Sequence, residues 1–379
     1  MPLLSVDYPM VFALILGLVV ALIAIPPIVR VSHAKKLVAV PNGRTSHNGH
    51  IPALGGVAIF ASVILGTTIF IDNDALGEFR YIFAALVIVF FTGLKDDMVN
   101  LSWPKKMAAE IVAAGLVVVL ADVRITTFHG MIGVETLPVW VSIVFSVFVF
   151  IGLINCFNLL DGIDGLASGM GIFISMVFGL WLNQLGYVNY AVLAFSLAGG
   201  LMCFYVFNVF GTRHKLFMGD SGSLLLGFLF AVLSIKILCC EIAPGDPRFM
   251  KAFPSVVMAV MIFPIIDTLR VFTLRILQGR SPFSADRNHL HHVLLKLGLN
   301  HLQASTSIIL VNAFLFGVTV LLRNQNAFLV AIVLFSLALG ISLVPCFFAR
   351  RLNANGNEDQ GHQDDHHNSE PKLKHTYRA

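Results

Sequence analysis

Apolar residues along this chain neither alternate with polar ones nor recur on a single helical face. They come in long, nearly unbroken runs, at 10–29, 54–71, 80–95, 106–121, 138–155, 166–183, 188–207, 221–240, 253–274, 304–322 and 327–348. Most approach the roughly 17–25 residues that carry an α-helix across ~30 Å of hydrocarbon. The pattern predicts an all-α, polytopic integral membrane protein with about eleven transmembrane helices. Residues 1–349 form the transmembrane domain, and 350–379 follow as a separate tail. The first run has neither a basic stretch before it nor a small-residue cleavage site, so it is expected to be a retained helix and not a signal peptide.

Charge then gives an orientation. Arg30, Lys35, Lys36 and Arg44 follow the first run, and Lys95, Lys105 and Lys106 lie around the loop after the third. Arg213 and Lys215 follow the seventh run, Arg275, Arg280, Arg287 and Lys296 the ninth, and Arg350 and Arg351 the eleventh. The alternate loops hold only Arg80, Arg124, Arg248, Lys251 and Arg323. Cytoplasmic loops carry the excess of Lys and Arg, so the N-terminus is expected outside and the C-terminus in the cytoplasm.

Composition excludes a soluble protein. The chain is 57% hydrophobic and 12% charged, half the charge of a typical globular domain, with a mean hydropathy of +0.84. A net charge of +4 is modest; it suits membrane lipid headgroups on the cytoplasmic face, and no nucleic-acid partner is expected. The five cysteines, Cys156, Cys203, Cys239, Cys240 and Cys346, show no metal-ligand or disulfide-framework spacing and read as small core residues. The polar tail, with its cluster of His and Asp, is expected to be disordered.

Against this apolar background the acidic residues are one-sided. Asp96 and Asp97 follow the third run in "GLKDDMVN", Asp161 and Asp164 the fifth, and Asp220 opens the eighth in "LFMGDSGSLLLG". His289, His291 and His292 lie in "SPFSADRNHLHHVL", after the ninth. All fall at ends expected to be cytoplasmic. Two carboxylates at a helix C-terminus oppose the macrodipole, so Asp96 and Asp97 need compensation from lysines or a divalent cation. In "NCFNLLDGIDGLASG" (155–169), two glycines weaken the helix, so it should break near Asp161 and re-form by Leu166. There Asn155, Asn158, Asp161 and Asp164 converge either as a polar ligand site or as a tight Asp-Gly loop. Asp220 reads as an ordinary N-cap or as part of an anion- and metal-binding helix start. The histidines read as a zinc site, as a diphosphate site beside Arg280 and Arg287, or as a plain surface helix.

Taken in order, "IPALGG" (51–56), "KDD" (95–97), "KKMAAE" (105–110), "NCFNLLDGIDGLASG" (155–169), "FMGDSGS" (217–223) and "DRNHLHH" (286–292) resemble the polyprenyl-phosphate N-acetylhexosamine-1-phosphate transferase family, the WecA/TagO/MraY superfamily. Nearly the whole chain up to about residue 348 is covered. The His-x-His-His pattern is similar to the WecA-like branch and not to the muramoyl-pentapeptide branch. Glu110 departs from the family, whose members often carry Gln there, and is left out of the site. The resemblance implies a bacterial inner-membrane enzyme with its site on the cytoplasmic face. It would transfer a sugar-1-phosphate, most simply N-acetylglucosamine-1-phosphate, from a UDP-sugar to undecaprenyl phosphate, releasing UMP and starting a lipid-linked cell-surface glycan. It further implies Mg²⁺, with Mn²⁺ as a substitute, held by Asp220 with Asp97 and Asp96 beside it. Asp96 and Asp97 would be catalytic, Lys106 would bind the carrier phosphate, and Asp164 and Phe217 the uridine. His289, His291 and His292 would hold the diphosphate, and Asn155, Asn158 and Asp161 would shape the pocket. A homodimer is left open.

Chemistry of this kind needs little from the protein beyond positioning and charge neutralisation. A phosphate monoester has its second pKa near about 6, so the carrier phosphate is already a competent nucleophile at neutral pH, and Asp96 is expected to orient or assist a metal instead of deprotonating. A covalent aspartyl-phosphate route is the alternative. Another UDP-N-acetylhexosamine as donor, a magnesium-dependent membrane prenyltransferase and a transporter are the competing functions; the last would place ionisable residues mid-span, unlike the pattern here.

Overall fold

A computed structural model describes residues 8–35, 51–131, 133–281 and 288–367. Lys36, Arg44 and Arg287, used above for orientation, and Asp286 of the histidine segment lie outside them. Every apolar run is helical. The helices are α1 (Tyr8–Ala34), α2 (Gly55–Thr68), α3 (Leu76–Val99), α4 (Trp103–Leu120), α5 (Val139–Leu160), α6 (Leu166–Gln184), α7 (Val188–Val209), α8 (Gly219–Leu238), α9 (Phe253–Ala259), α10 (Ile262–Leu277), α11 (Leu290–Lys296), α12 (His301–Leu321) and α13 (Ala327–His367). Among the described residues there is no strand, only a bridge between Thr127 and Thr136.

Eight of these helices are long and apolar enough to cross a membrane, nine if α9 and α10 are one bent span. That is fewer than the eleven expected, for two local reasons. α2 is apolar but has only 14 residues, about 21 Å of rise. α4 carries Lys105, Lys106 and Glu110 within its 18 residues. The expected run at 253–274 is also not one helix: it bends by 76° between α9 and α10. Pro264 has no N–H to give to the carbonyl four residues back. That carbonyl, on Val260, instead accepts from Asn312 Nδ2 at 2.9 Å, while Asn312 Oδ1 accepts from Phe263 N–H at 3.0 Å. One buried amide on α12 thus satisfies both groups that the break leaves open, as lipid demands. α13 continues through His367, past residue 350 where the tail was expected to become irregular.

The core is organised around α8. Its residues from Ser221 to Ile235 are all buried, so neighbours cover it on all sides. α3, α5 and α2 pack on it, and α1 and α6 pack on α7. Small residues permit this closeness, as between membrane helices generally. A Cβ on Gly56 of α2 would stand 2.3 Å from the Gly222 amide nitrogen, and one on Gly227 of α8 would stand 2.4 Å from the Ile154 Cα on α5. Outward-facing side chains are apolar too, as on α1 and α13 (Phe12, Ile23, Phe328).

These contacts make a prediction. Gly56→Ala must push α2 off α8 against backbone, and overpacking of this kind costs roughly 1–3 kcal/mol. Gly317→Ala in α12, where nothing lies within 4 Å of the added methyl, should be neutral or slightly stabilising. Thermal unfolding of the two variants in detergent should show a lowered midpoint for the first only.

Candidate functional site

The polar residues singled out from sequence collect where the start of α8 meets the ends of α3 and α5 and the start of α4. α8 begins inside the protein, so its first N–H groups, which no helix can satisfy internally, need partners there. Asp97 provides them: Oδ1 accepts from Asp220 N–H at 2.7 Å and Oδ2 from Ser221 N–H at 3.0 Å. Gly219, at φ +71°, turns the chain into the helix at a point where a Cβ would meet both the Ala53 carbonyl and the Asp97 carboxylate. The strap at 51–56 is tied to the same place, with Phe217 N–H donating to the Pro52 carbonyl and Gly55 and Gly56 N–H to the Phe217 and Met218 carbonyls.

With Asp97 accepting from these amides, the cap of α8 comes from another helix and not from its N-cap residue, Met218, which makes no side-chain capping bond. Asp220 accepts from Asn158 Nδ2 at 3.0 Å and forms a close ion pair with Lys106. Asn158 also reaches Ser223 Oγ at 3.0 Å. The Lys106 ammonium pairs as well with Asp96 Oδ2 at 3.0 Å. The macrodipole conflict at the end of α3 is therefore resolved locally. Asp96 is compensated by Lys106 and the Leu101 amide, and Asp97 by the α8 amides. Lys106, itself a cation near the N-terminus of α4, is held there by two carboxylates.

Asn155 is set back from this group. It donates to the Ile151 carbonyl at 2.8 Å and to Glu110 Oε2 at 3.3 Å, and Glu110 is buried. α5 ends at Leu160 and α6 starts at Leu166, so the predicted break is present. Gly165, at φ +80°, opens α6, and its N–H donates to Asn208 Oδ1 at 2.7 Å. Asp161 faces Asp220, Asp97 and Asp164, and burial plus these charges push its carboxyl up to about 8. Asp164 forms a separate pair with Lys215 at 2.7 Å and His301 at 3.4 Å. Phe217 contributes its backbone to the strap. His291 packs on the Asp-Gly loop so closely that a Cβ on Gly162 would stand 2.2 Å from its Nε2. Burial and neighbouring His292 hold the His291 ring neutral, down to about 3. His289 and His291 stack at 5.8 Å, and the His292 ring lies 4.2 Å from His291.

Every predicted site residue thus belongs to one connected region, but with different duties. Lys106, Asp96, Asp220 and Asn158 form its centre, and His291 walls the Asp-Gly loop with His289 and His292 packed against its ring. Sequence reasoning missed Lys215, His301, Asn208 and Asp267. Only Asp267, a carboxylate inside an apolar run, carried a signal; the others sit in ordinary polar loops or helix ends. Among the described residues no group of three or more His, Cys, Asp or Glu is arranged to hold a metal ion by itself, which leaves the zinc reading of the histidines without support. The carboxylates of Asp96 and Asp220 nevertheless converge on a cation, the Lys106 ammonium. Two hard oxygen donors suit Mg²⁺, which takes one or two carboxylates and completes its shell with water and phosphate oxygens.

Residues 79–238, from α3 to the end of α8, match the sequence profile of the family described as glycosyl transferase family 4. The histidine segment lies beyond that match. The chain is similar to the undecaprenyl-phosphate alpha-N-acetylglucosaminyl 1-phosphate transferase of Salmonella typhi, 31% identical over 292 residues that cover 75% of this chain and 76% of the other. It is 29% identical to the enzyme of the same name from Yersinia pestis, over 74% of this chain and 75% of that one. A probable undecaprenyl-phosphate N-acetylglucosaminyl 1-phosphate transferase of Bacillus subtilis is 28% identical over 88% of this chain and 90% of its own length.

Asp161 supplies a pH test. Its folded pKa of about 8 lies above the usual 3.8, so the folded protein binds a proton there that the unfolded chain has released. Stability from this group is present below about pH 4 and falls as pH rises toward 8. Asp161→Asn should therefore raise the unfolding midpoint at pH 8 in chelator, with the gain vanishing near pH 4. A gain that does not depend on pH would show that charge crowding is not the cause.

Proposed function

Because the chain belongs to glycosyl transferase family 4 and is a phosphotransferase with multiple membrane-crossing helices, we propose that it transfers N-acetylglucosamine-1-phosphate from UDP-N-acetylglucosamine to undecaprenyl phosphate, releasing UMP. The observation that carries this reading is the partly buried Lys106 ammonium bracketed by Asp96 and Asp220. A cation held between carboxylates where several helix ends meet suits two anionic substrates, one soluble and one anchored in lipid. The names of the relatives support the sugar and the carrier.

The chemistry follows from the geometry. An oxygen of the carrier phosphate forms the new P–O bond to the sugar-bearing phosphorus as the bond to UMP breaks, and UMP leaves as an anion. No proton needs to move, because the attacking phosphate is already ionised. Asp220 and Asp96 would hold Mg²⁺, which when bound neutralises charge on the diphosphate oxygens. Lys106, displaced from those carboxylates, would tether the carrier phosphate in line for attack. Asn158 orients Asp220, and Asp97 positions it by fixing the start of α8. His289, His291 and His292 would contact the diphosphate, and Asp164 and Phe217 the uridine. Both oxygens of Asp97 are engaged by backbone amides, which favours direct displacement over an aspartyl-phosphate on that residue.

The same contacts support eleven crossings, which put the two termini on opposite faces; the excess of Lys and Arg in alternate loops favours the N-terminus outside and the C-terminus in the cytoplasm. The start of α2 meets the start of α8, and the end of α3 meets both, so a crossing by α3 requires one by α2. The start of α4 and the end of α5 also meet there, through Lys106, Asp220 and Asn158; a crossing by α5 requires one by α4. At the other end of α3, Glu78 joins Lys236 at the end of α8 and Tyr190 near the start of α7. On this topology residues 1–349 form the inner-membrane domain, the site faces the cytoplasm, and the chain beyond 350 is a cytoplasmic extension.

Purified enzyme should convert UDP-N-acetylglucosamine and undecaprenyl phosphate to the lipid-linked sugar only with Mg²⁺ or Mn²⁺ present. Full turnover in excess chelator would remove the metal from the mechanism, and preference for another UDP-N-acetylhexosamine would change the sugar. Asp220→Asn, which leaves the Asp97 cap intact, should reduce turnover by roughly 10²–10³-fold, a loss typical of a group that neutralises transition-state charge, while its unfolding midpoint stays close to that of the parent.

UMP should not exchange into UDP-sugar without the carrier lipid. Exchange as fast as turnover, abolished in Asp96→Asn, would establish a covalent intermediate in place of direct displacement.

A further inference from the structure

We propose that Asp267 is a positioning residue, whose carboxylate inside α10 fixes the His289 ring so that Nε2 faces the diphosphate of the nucleotide sugar. This rests on the functional reading above and assigns a role to a residue outside the motifs that carried it.

Asp267 is 4% exposed, in an apolar helix where an unpaired carboxylate would be costly. It has three partners. Arg270 Nη2 donates at 2.7 Å and balances its charge, Leu290 N–H donates at 3.0 Å, and His289 Nδ1 lies 2.8 Å from Oδ2. Arg270 Nη2 also donates to the Asn288 carbonyl at 2.8 Å, so the chain on both sides of His289 is pinned to α10. An ionised carboxylate only accepts hydrogen bonds. The proton of the His289 ring therefore sits on Nδ1, and Nε2 is the nitrogen left for something else.

That nitrogen has no protein partner. His289 Nε2 and His291 Nε2 are both buried without a hydrogen bond among the described residues, and the two residues are 4% and 2% exposed. Buried polar atoms are ordinarily satisfied, and here two unsatisfied ones belong to parallel rings, 9° apart in plane. His291 lies on Gly162, which brings the pair up to the Asp-Gly loop and so to the Asp220 centre. A bound diphosphate, rich in acceptor oxygens, satisfies Nε2 when it carries a proton. The carboxylate behind Nδ1 sets which ring nitrogen is turned toward the ligand, as second-layer carboxylates do for other functional histidines.

A merely structural Asp267 would hold α11 against α10 without affecting the ligand, and a double-mutant cycle separates the two roles. UDP and uridine binding are measured by calorimetry on the full-length protein in detergent. Asp267→Asn should weaken UDP binding about tenfold, the scale of one charge-assisted hydrogen bond, and leave uridine binding unchanged. In a His289→Ala background the same substitution should cost nothing further. Unchanged UDP binding in Asp267→Asn, or losses that simply add in the double variant, would overturn the proposal. A measurement on the unaltered ring covers the case in which Asp267→Asn does not fold. The ¹⁵N signals of His289, assigned by their disappearance in His289→Ala, should show a protonated Nδ1; a neutral ring protonated only on Nε2 would overturn the assignment. If the parent protein bound no UDP at all, the functional reading itself would fall; loss of coupling with UDP binding intact removes only the role of Asp267.

Discussion

A helix buried on every side still has to begin, and its first amide groups cannot be satisfied from within. For α8 that requirement is met by a carboxylate from another helix, Asp97 at the end of α3, which accepts from two successive amides. Much of the site depends on this bond pair. It locks α3 to α8, places Asp220 on the first turn with its side chain unspent, and leaves Gly219 to make the turn that the close approach of Ala53 requires. It also relieves α3 of a negative charge at its own unfavourable end. One interaction therefore settles two helix termini and the register of the site between them.

Around that joint, charges are arranged in competition instead of in fixed pairs. Lys106 is held by Asp96 and Asp220 together, and Asp161, Asp164 and Glu110 crowd the same region. Such a cluster carries more carboxylate than the protein balances with its own cations. Binding a cation, or releasing Lys106 to an anion, would relieve the imbalance, and the proposed phosphoryl transfer calls for both.

Broken backbone within the bundle follows a similar economy of partners. Pro264 opens a gap in the helix ladder, and Asn312 closes it from α12. The bend redirects α10 so that Asp267 and Arg270 meet the chain leading into α11. Three histidines that are merely adjacent in sequence are thereby held as two stacked rings and a third tilted against them.

The sequence by itself determined the class of the protein and picked out polar residues that the fold brings into one region. Lipid-length apolar runs can only be helices, because hydrocarbon offers no other partner to backbone groups, and all eleven runs are helical. Aspartates and histidines in so apolar a chain stand out, and those singled out do converge. The break between Asp161 and Leu166 was legible because two glycines weaken a helix wherever they stand. Tertiary structure decided what each residue does. That Asp97 caps α8, and that Lys106 lies against Asp220 as well as its near neighbour Asp96, depend on partners more than a hundred positions apart in sequence, from α3 and α4 to α8. The bend at Val260–Phe263 and the roles of Asn208 and Asp267 depend likewise on groups from other helices. Hydrophobicity acts on each segment by itself and can be read one segment at a time; hydrogen bonds and charge pairs take their meaning from the partner, and only the folded chain supplies it.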